Sequence, residues 1–273
     1  MKVSLTASSE VFPAGAAHAW LHAGPDLGNT AALHGAPWPA EWRHNRLLAE
    51  LPEATRQRWL AHAECVHLGQ GQMLHEAGAV LQWVYFPLTA LIALVMPERT
   101  GAIFEVATVG REGVVGLPLL GGNYTRSRAV VQAAGKAIRM RASVLAEEFA
   151  KQPDVRGLLL AYSQALVAEI MQTALCNRHH SLEQQVARLI LLRLDRQAGE
   201  ELSMTQEAMA GMLGVRRESV TLAAARLQQA GVIRYARGHI TVLARARLEG
   251  RACDCYDTIR CEFDRLLQPL PAA

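Results

Sequence analysis

The sequence predicts an α+β protein in which an antiparallel β-roll, a long helix and a winged helix-turn-helix follow one another along the chain. Three observations predict it. Short apolar runs between Gly69 and Met140 are punctuated by glycines; a single apolar stripe of helical period follows Pro153; and small, glycine and arginine residues are ordered between about Thr205 and Gln228. The 273 residues suffice for two domains of ordinary size, and 51% hydrophobic against 19% charged residues is the balance of a folded chain.

Residues 1–43 are rich in Ala, Gly, Pro and His without sustained periodicity and read as a flexible leader, part of which the tryptophans at 20, 38 and 42 allow to dock. The roll is expected over residues 44–152. It begins with two short helices around Leu47, Leu48, Leu51, Trp59 and Leu60, and continues in strands such as 80–86 and 91–96. The long helix is expected over 153–180. Leu159, Tyr162, Leu166, Ile170 and Thr173 recur at spacings of three and four residues, which aligns them on one face, as either a core helix or a seam between two subunits. Residues 181–265 hold the winged helix-turn-helix, and 266–273 form a tail.

The reading unit is the most specific signal. Thr205 suits the N-cap of a helix ending near Leu213. Ala210 is small where two crossing helices must approach, Gly214 frees the backbone of the turn, and Val220 secures a second helix over about Arg216 to Gln228. That helix turns Val220, Ala223, Ala224 and Leu227 inward. Arg217, Glu218, Thr221 and Arg226 are left to face out at or near its N-terminal half, the half that enters a DNA major groove, with Arg216 and Ser219 beside them as further DNA-binding candidates. Arginine can bond guanine O6 and N7, and glutamate can accept from a cytosine amino group, so Arg217 and Glu218 suit base edges, while Ser219 and Thr221 suit phosphates. Residues 233–242 alternate about an Arg-Gly turn as a wing that carries Arg234 and Arg237. The whole chain has a net charge of only +3, but the stretch from Met204 to Arg247 has seven arginines, no lysine and two acids, a local basic surface suited to double-stranded DNA.

The five cysteines, at 65, 176, 253, 255 and 261, are odd in number and scattered, unlike a secreted disulfide framework, and point to a reducing compartment. Cys253, Cys255 and Cys261 form a C-x-C-x5-C group with no evident fourth ligand, so neither a metal nor an iron–sulfur cluster is expected. His67 and His75 lack the close spacing of a metal-binding pair. The most apolar stretch, 157–171, contains Ser163, Gln164 and Glu169, and the expectation is a cytoplasmic protein with no membrane segment.

On these residues the chain resembles the cyclic-AMP receptor protein/FNR family of bacterial transcription regulators over roughly residues 44–265. The resemblance implies a homodimer whose cyclic-nucleotide-binding-like roll senses a signal, whose long helix forms the dimer seam, and whose reading helices bind a palindromic promoter site beside RNA polymerase. Arg217 and Glu218 match the family's base-reading pair. Leu222 stands at the third base-contacting position and cannot donate to a base, which implies a different operator. Cyclic-nucleotide sensors of the family hold ribose with a Gly-Glu pair and phosphate with Arg-Ser-Ala. Here Gly116 is followed by Leu117 and Pro118, and Arg126-Ser127-Arg128-Ala129 matches only in part, so cyclic AMP is not the expected ligand. Arg111, Glu112, Arg126, Ser127 and Arg128 form either an anion pocket for a nucleotide or other small effector, or a solvated loop. Two other readings are a ligand-sensing module acting through protein partners without DNA, and a β-barrel enzyme. The second requires convergent acids, bases or metal ligands that the sequence does not display.

Overall fold

A computed structural model describes residues 30–32, 38–97, 103–117, 125–197, 199 and 201–267. Its first strand, β1 (Thr30–Ala32), precedes α1 (Arg46–Glu50) and α2 (Glu53–Leu60). Seven strands follow: β2 (Glu64–Leu68), β3 (Met73–His75), β4 (Trp83–Pro87), β5 (Leu91–Pro97), β6 (Ile103–Val109), β7 (Arg128–Ala133) and β8 (Gly135–Arg141). They pair antiparallel in two four-stranded sheets, ordered β1-β2-β8-β4 and β3-β7-β5-β6. Apolar side chains from both sheets, among them Leu68, Tyr85, Ile92, Val109, Val131 and Ala137, meet between them. This is the expected roll.

Most of the expected leader lies outside the described residues. Its last part belongs to the body: a 3-10 turn at Ala40–His44 sets Trp42 between the guanidinium groups of Arg43 and Arg56, and Glu41 pairs with Lys136 at 2.7 Å. Asn45 then ties the first helix to the roll. Its Oδ1 accepts from the Leu48 N–H, and its fully buried amide donates to the Pro87 and Gly113 carbonyls, so its buried polar atoms are satisfied.

After the roll come α3 (Ala142–Lys151), α4 (Pro153–His179) and α5 (Leu182–Arg196). Pro153 starts α4 where its missing N–H costs no helical bond. The break between α4 and α5 is written locally: Ser181 accepts from the Gln184 N–H, and the Gln184 side chain accepts from the Ser181 N–H, a reciprocal cap that begins a new helix. The C-terminal unit then runs β9 (Glu201–Ser203), α6 (Gln206–Leu213), α7 (Arg217–Gln229), β10 (Ile233–Ala236), β11 (His239–Val242), α8 (Arg245–Glu249) and α9 (Cys255–Leu266), with a third sheet ordered β10-β11-β9. α9 packs back along α4.

Of the stripe read as either core helix or subunit seam, only Ile170 is left exposed. Leu159 and Tyr162 are buried within the protomer, alongside Val155 and Ala165, because that face of α4 covers the protomer's own core; Leu166 packs beside them, and Thr173 takes a hydrogen bond from Arg188. The apolar residues left exposed lie a step round the helix: Leu160, Val167, Ile170, Met171 and Leu175, with Met171 67% exposed. By length and composition α4 is also apolar enough to cross a membrane. It carries, however, a buried carboxylate on its inner face, and that carboxylate is fully employed.

That group is Glu169, and its partner is Arg196 at the end of α5. Arg196 forms a two-point pair with Glu169 at 2.7 and 2.8 Å, approaches Glu112 of the roll at 3.3 Å, and donates to the Thr108 carbonyl; all three charged side chains are buried. One turn earlier, buried Arg193 pairs with Glu105 of β6 at 2.8 Å. Burial pushes the Glu112 carboxyl above its usual range despite the arginine beside it, whereas the two carboxylates hold Arg196 firmly charged. The contact is too close for a side chain at Gly110, where a Cβ would lie 2.3 Å from the Arg196 carbonyl oxygen. Removing Arg196 strands two carboxylates in the interior. Arg196→Ala is expected to lower unfolding free energy by about 3–5 kcal/mol in urea titration; an unchanged midpoint would show that the pair carries no stability.

Candidate nucleic-acid interface

α6 and α7 cross as a helix-turn-helix, and each local constraint read from the sequence is met. The Thr205 hydroxyl caps α6 by accepting from the Ala208 N–H at 3.1 Å. Gly214 ends the helix in the left-handed region at φ 64°, and the Val215 N–H returns to the Ala210 carbonyl. Ala210, Val220, Ala223, Ala224 and Leu227 are buried, with Val220 and Leu227 wholly so.

Packing that face leaves the other side of α7 open. Arg216, Arg217, Glu218, Thr221, Leu222 and Arg226 are exposed, and Ser219 is half-buried. Arg217 reaches toward Glu207 of α6 only at 3.9 Å, too far for a firm bond, with most of its side chain in solvent. Thr221 is more engaged: its hydroxyl is 2.7 Å from the Gln206 Oε1 and 3.0 Å from the Arg217 carbonyl, so it braces α7 against α6. Leu222 is 64% exposed, an apolar projection on an otherwise polar face.

The wing follows directly. β10 and β11 pair Ala236 with His239 across the two-residue turn Arg237-Gly238, and both turn residues have positive φ, 51° and 82°. Such a turn matches the right-handed twist of the strands it joins. The wing is fixed to the reading helix by the Tyr235 N–H donating to the Gln228 side chain, and to β9 by the Tyr235 hydroxyl donating to the Met204 carbonyl at 3.0 Å. Arg234 and Arg237 are exposed on it. Arg245, counted in the basic stretch, is instead employed internally with Asp195 and Glu249.

The five candidate pocket residues separate into two groups. β5 fixes the distance: Ile92 stands opposite Val109, two residues before Arg111, whereas Val95, three residues further along β5, stands opposite Arg128. Arg111 donates to the Asp195 carbonyl at 2.8 Å, and Glu112 faces Arg196, so both dock the roll on α5. Arg128 pairs with Glu76 at 2.6 Å, Ser127 bonds Thr125, and Arg126 is exposed. A single anion pocket over these five residues is therefore corrected, because strand register and the buried ion pairs draw them apart. Leu117 is described, but Pro118 lies outside the described residues. The sequence reading missed the charges buried on α5, which looked like ordinary helix-surface arginines.

With this geometry in view, residues 184–251 match the family of the Crp-like helix-turn-helix domain. No curated protein matches the sequence. Among solved structures, FixK2 from Bradyrhizobium japonicum is similar at 18% identity with a TM-score of 0.61, covering 70% of this chain and 98% of that one. A putative Crp/Fnr-family regulator from Eubacterium rectale is similar at 16% identity and TM-score 0.59, over 76% of this chain and 98% of that one. CLP of Xanthomonas campestris, described as a c-di-GMP responsive global regulator, is similar at 15% identity and TM-score 0.56, over 70% and 99%. The described residues share the fold of these solved structures, with an antiparallel β-roll ahead of the segment that matches the Crp-like helix-turn-helix domain.

A non-glycine residue at positive φ is strained by about 1 kcal/mol or more, so the fold alone favours glycine at 237. Arg237→Gly is therefore expected to preserve or raise Tm while weakening DNA binding. A variant that loses stability instead would assign Arg237 to the fold rather than to a ligand.

Proposed function

We propose that the chain is a homodimeric, sequence-specific DNA-binding transcription regulator whose output is read through α7 and the wing and whose input arrives at the roll. The observation that carries this reading is the exposed N-terminal half of α7 within a Crp-like domain: Arg217 and Glu218 project from a helix whose opposite face is buried. In this reading Arg217 and Glu218 contact base edges. Arg216, Ser219, Thr221, Arg234 and Arg237 contact the phosphate backbone, and RNA polymerase is the partner alongside. Base contacts set sequence preference, and the phosphate contacts set affinity and its dependence on salt.

The dimer seam is assigned to the exposed apolar stripe of α4: Leu160, Val167, Ile170, Met171 and Leu175. Leu160 and Val167 are seven residues apart, and Val167, Met171 and Leu175 follow at steps of four with Ile170 beside them, so the row lies on one helix face and needs a partner helix of the same character, which a second copy supplies across a two-fold axis. Two half-sites one helical turn apart on one duplex face then receive the two reading helices. The roll reaches the reading unit through the Arg193–Glu105 and Arg196–Glu112 pairs, which gives a signal at the roll a physical route to α5.

Selection from a random duplex library, followed by binding measurements on the selected site, tests the reading. Arg217→Ala is expected to lose about 1–3 kcal/mol of discrimination at one base position, a factor of roughly 5 to 150 in relative affinity. Discrimination that survives the change intact would exclude α7 as the reader. Light scattering on the purified chain is expected to give a dimer that Val167→Glu/Met171→Glu converts to a folded monomer; a wild-type monomer at working concentrations would sink the proposed seam.

A further inference from the structure

We propose that Cys176, His180, Cys253 and Cys255 form a tetrahedral zinc site that joins the end of α4 to the start of α9. Cys176 lies in the last turn of α4 and His180 is the residue that ends it, its N–H donating to the Cys176 carbonyl at 3.0 Å, while Cys253 and Cys255 flank Asp254, the residue that opens α9. The four donor atoms all lie within 4.8 Å of one another. The Sγ atoms of Cys176 and Cys253 are 3.5 Å apart, and the Cys255 Sγ is 3.3 Å from the His180 Nδ1.

Those separations are the edges of a coordination tetrahedron. With Zn–S of about 2.3 Å and Zn–N of about 2.05 Å, the S···S edge is about 3.8 Å and the S···N edge about 3.5 Å. These two edges need to open by only about 0.3 Å to accept the ion, and the remaining edges, all within 4.8 Å, need to close by at most about 1 Å. They are far longer than a disulfide, whose sulfurs lie about 2.05 Å apart. With every donor pair within 4.8 Å, the group is also too compact for an iron–sulfur cluster, in which ligands on different irons are held further apart by the bridging sulfides.

The surroundings agree with a thiolate site. All three cysteines are buried, while Cys261, which completes the sequence motif, is exposed and outside the group. The Gln172 side-chain amide points its nitrogen at the Cys255 sulfur at 3.0 Å, the outer hydrogen bond that steadies a metal thiolate. Three thiolates, a neutral imidazole and a dication leave one net negative charge, the dication itself deprotonating the thiols it binds. Binding releases three protons, one from each thiol, and His180 binds as the neutral ring. With Cys261 outside the group, the two ligands that Cys253 and Cys255 lack are supplied by Cys176 and His180 at the end of α4.

The test uses the untagged full chain purified under reducing conditions. Elemental analysis is expected to give about one zinc per chain, retained in Cys261→Ser and lost in Cys253→Ser/Cys255→Ser. Chelation is expected to lower Tm by roughly 5–10 °C, with recovery on adding zinc. Since the serine variant need not fold, the chelated wild-type chain is also titrated with cobalt, which should give the intense visible bands of a tetrahedral thiolate site and be displaced by zinc. The assignment is overturned by zinc retained in the double variant, or by absence of both zinc and cobalt bands in the reduced chain. Iron with inorganic sulfide in place of zinc, or a Cys176–Cys253 disulfide in a metal-free chain as isolated, also overturns it.

Discussion

The buried arginine at the end of α5 is the constraint on which the rest of the structure depends. Arg196 meets a carboxylate from α4 and another from the roll, and its backbone carbonyl takes the Arg111 N–H, so roll, long helix and reading unit converge on one residue. A guanidinium in that position is stable only while both carboxylates stay in place. Glycine at 110 follows from it, because the β6 turn must approach the α5 backbone without a side chain between them. The same residue keeps the 27-residue α4 tied to its own subunit on one side, leaving only the other side for a partner.

The features most legible in the sequence are those whose causes are local. The Thr205 cap, the left-handed Gly214, the small Ala210 and the two-residue wing turn each report a backbone requirement within a few positions, and the structure meets all of them. The glycine-punctuated runs likewise gave strands, although Val80, read as part of one, is exposed ahead of β4. α5 carried a local signal that was overlooked, the Ser181 to Gln184 cap.

What the sequence could not reveal depends on partners distant along the chain. A helical stripe identifies an apolar face but not what covers it, and α4 is apolar on two faces. Its more regular row belongs to the protomer core, and its outer row begins one residue later at Leu160. Arg193 and Arg196 resemble the polar side of a surface helix until carboxylates from β6, the turn after it and α4 are brought against them, and Arg188 until the Thr173 hydroxyl of α4 is. His180 was unremarkable for the same reason, because the cysteines it faces lie beyond the whole reading unit.

The length of α4 has a mechanical meaning. At about 1.5 Å of rise per residue its 27 residues extend about 40 Å, so a tilt of about 5° at one end carries the other about 3.5 Å sideways. That displacement equals about one base-pair step of duplex DNA. In the proposed dimer, with two copies sharing α4 as an axle, angular error at the seam becomes spacing error between the two copies of α7. Few degrees separate a pair that matches its half-sites from one that straddles them, and rigid joints at both ends of the lever set that tolerance.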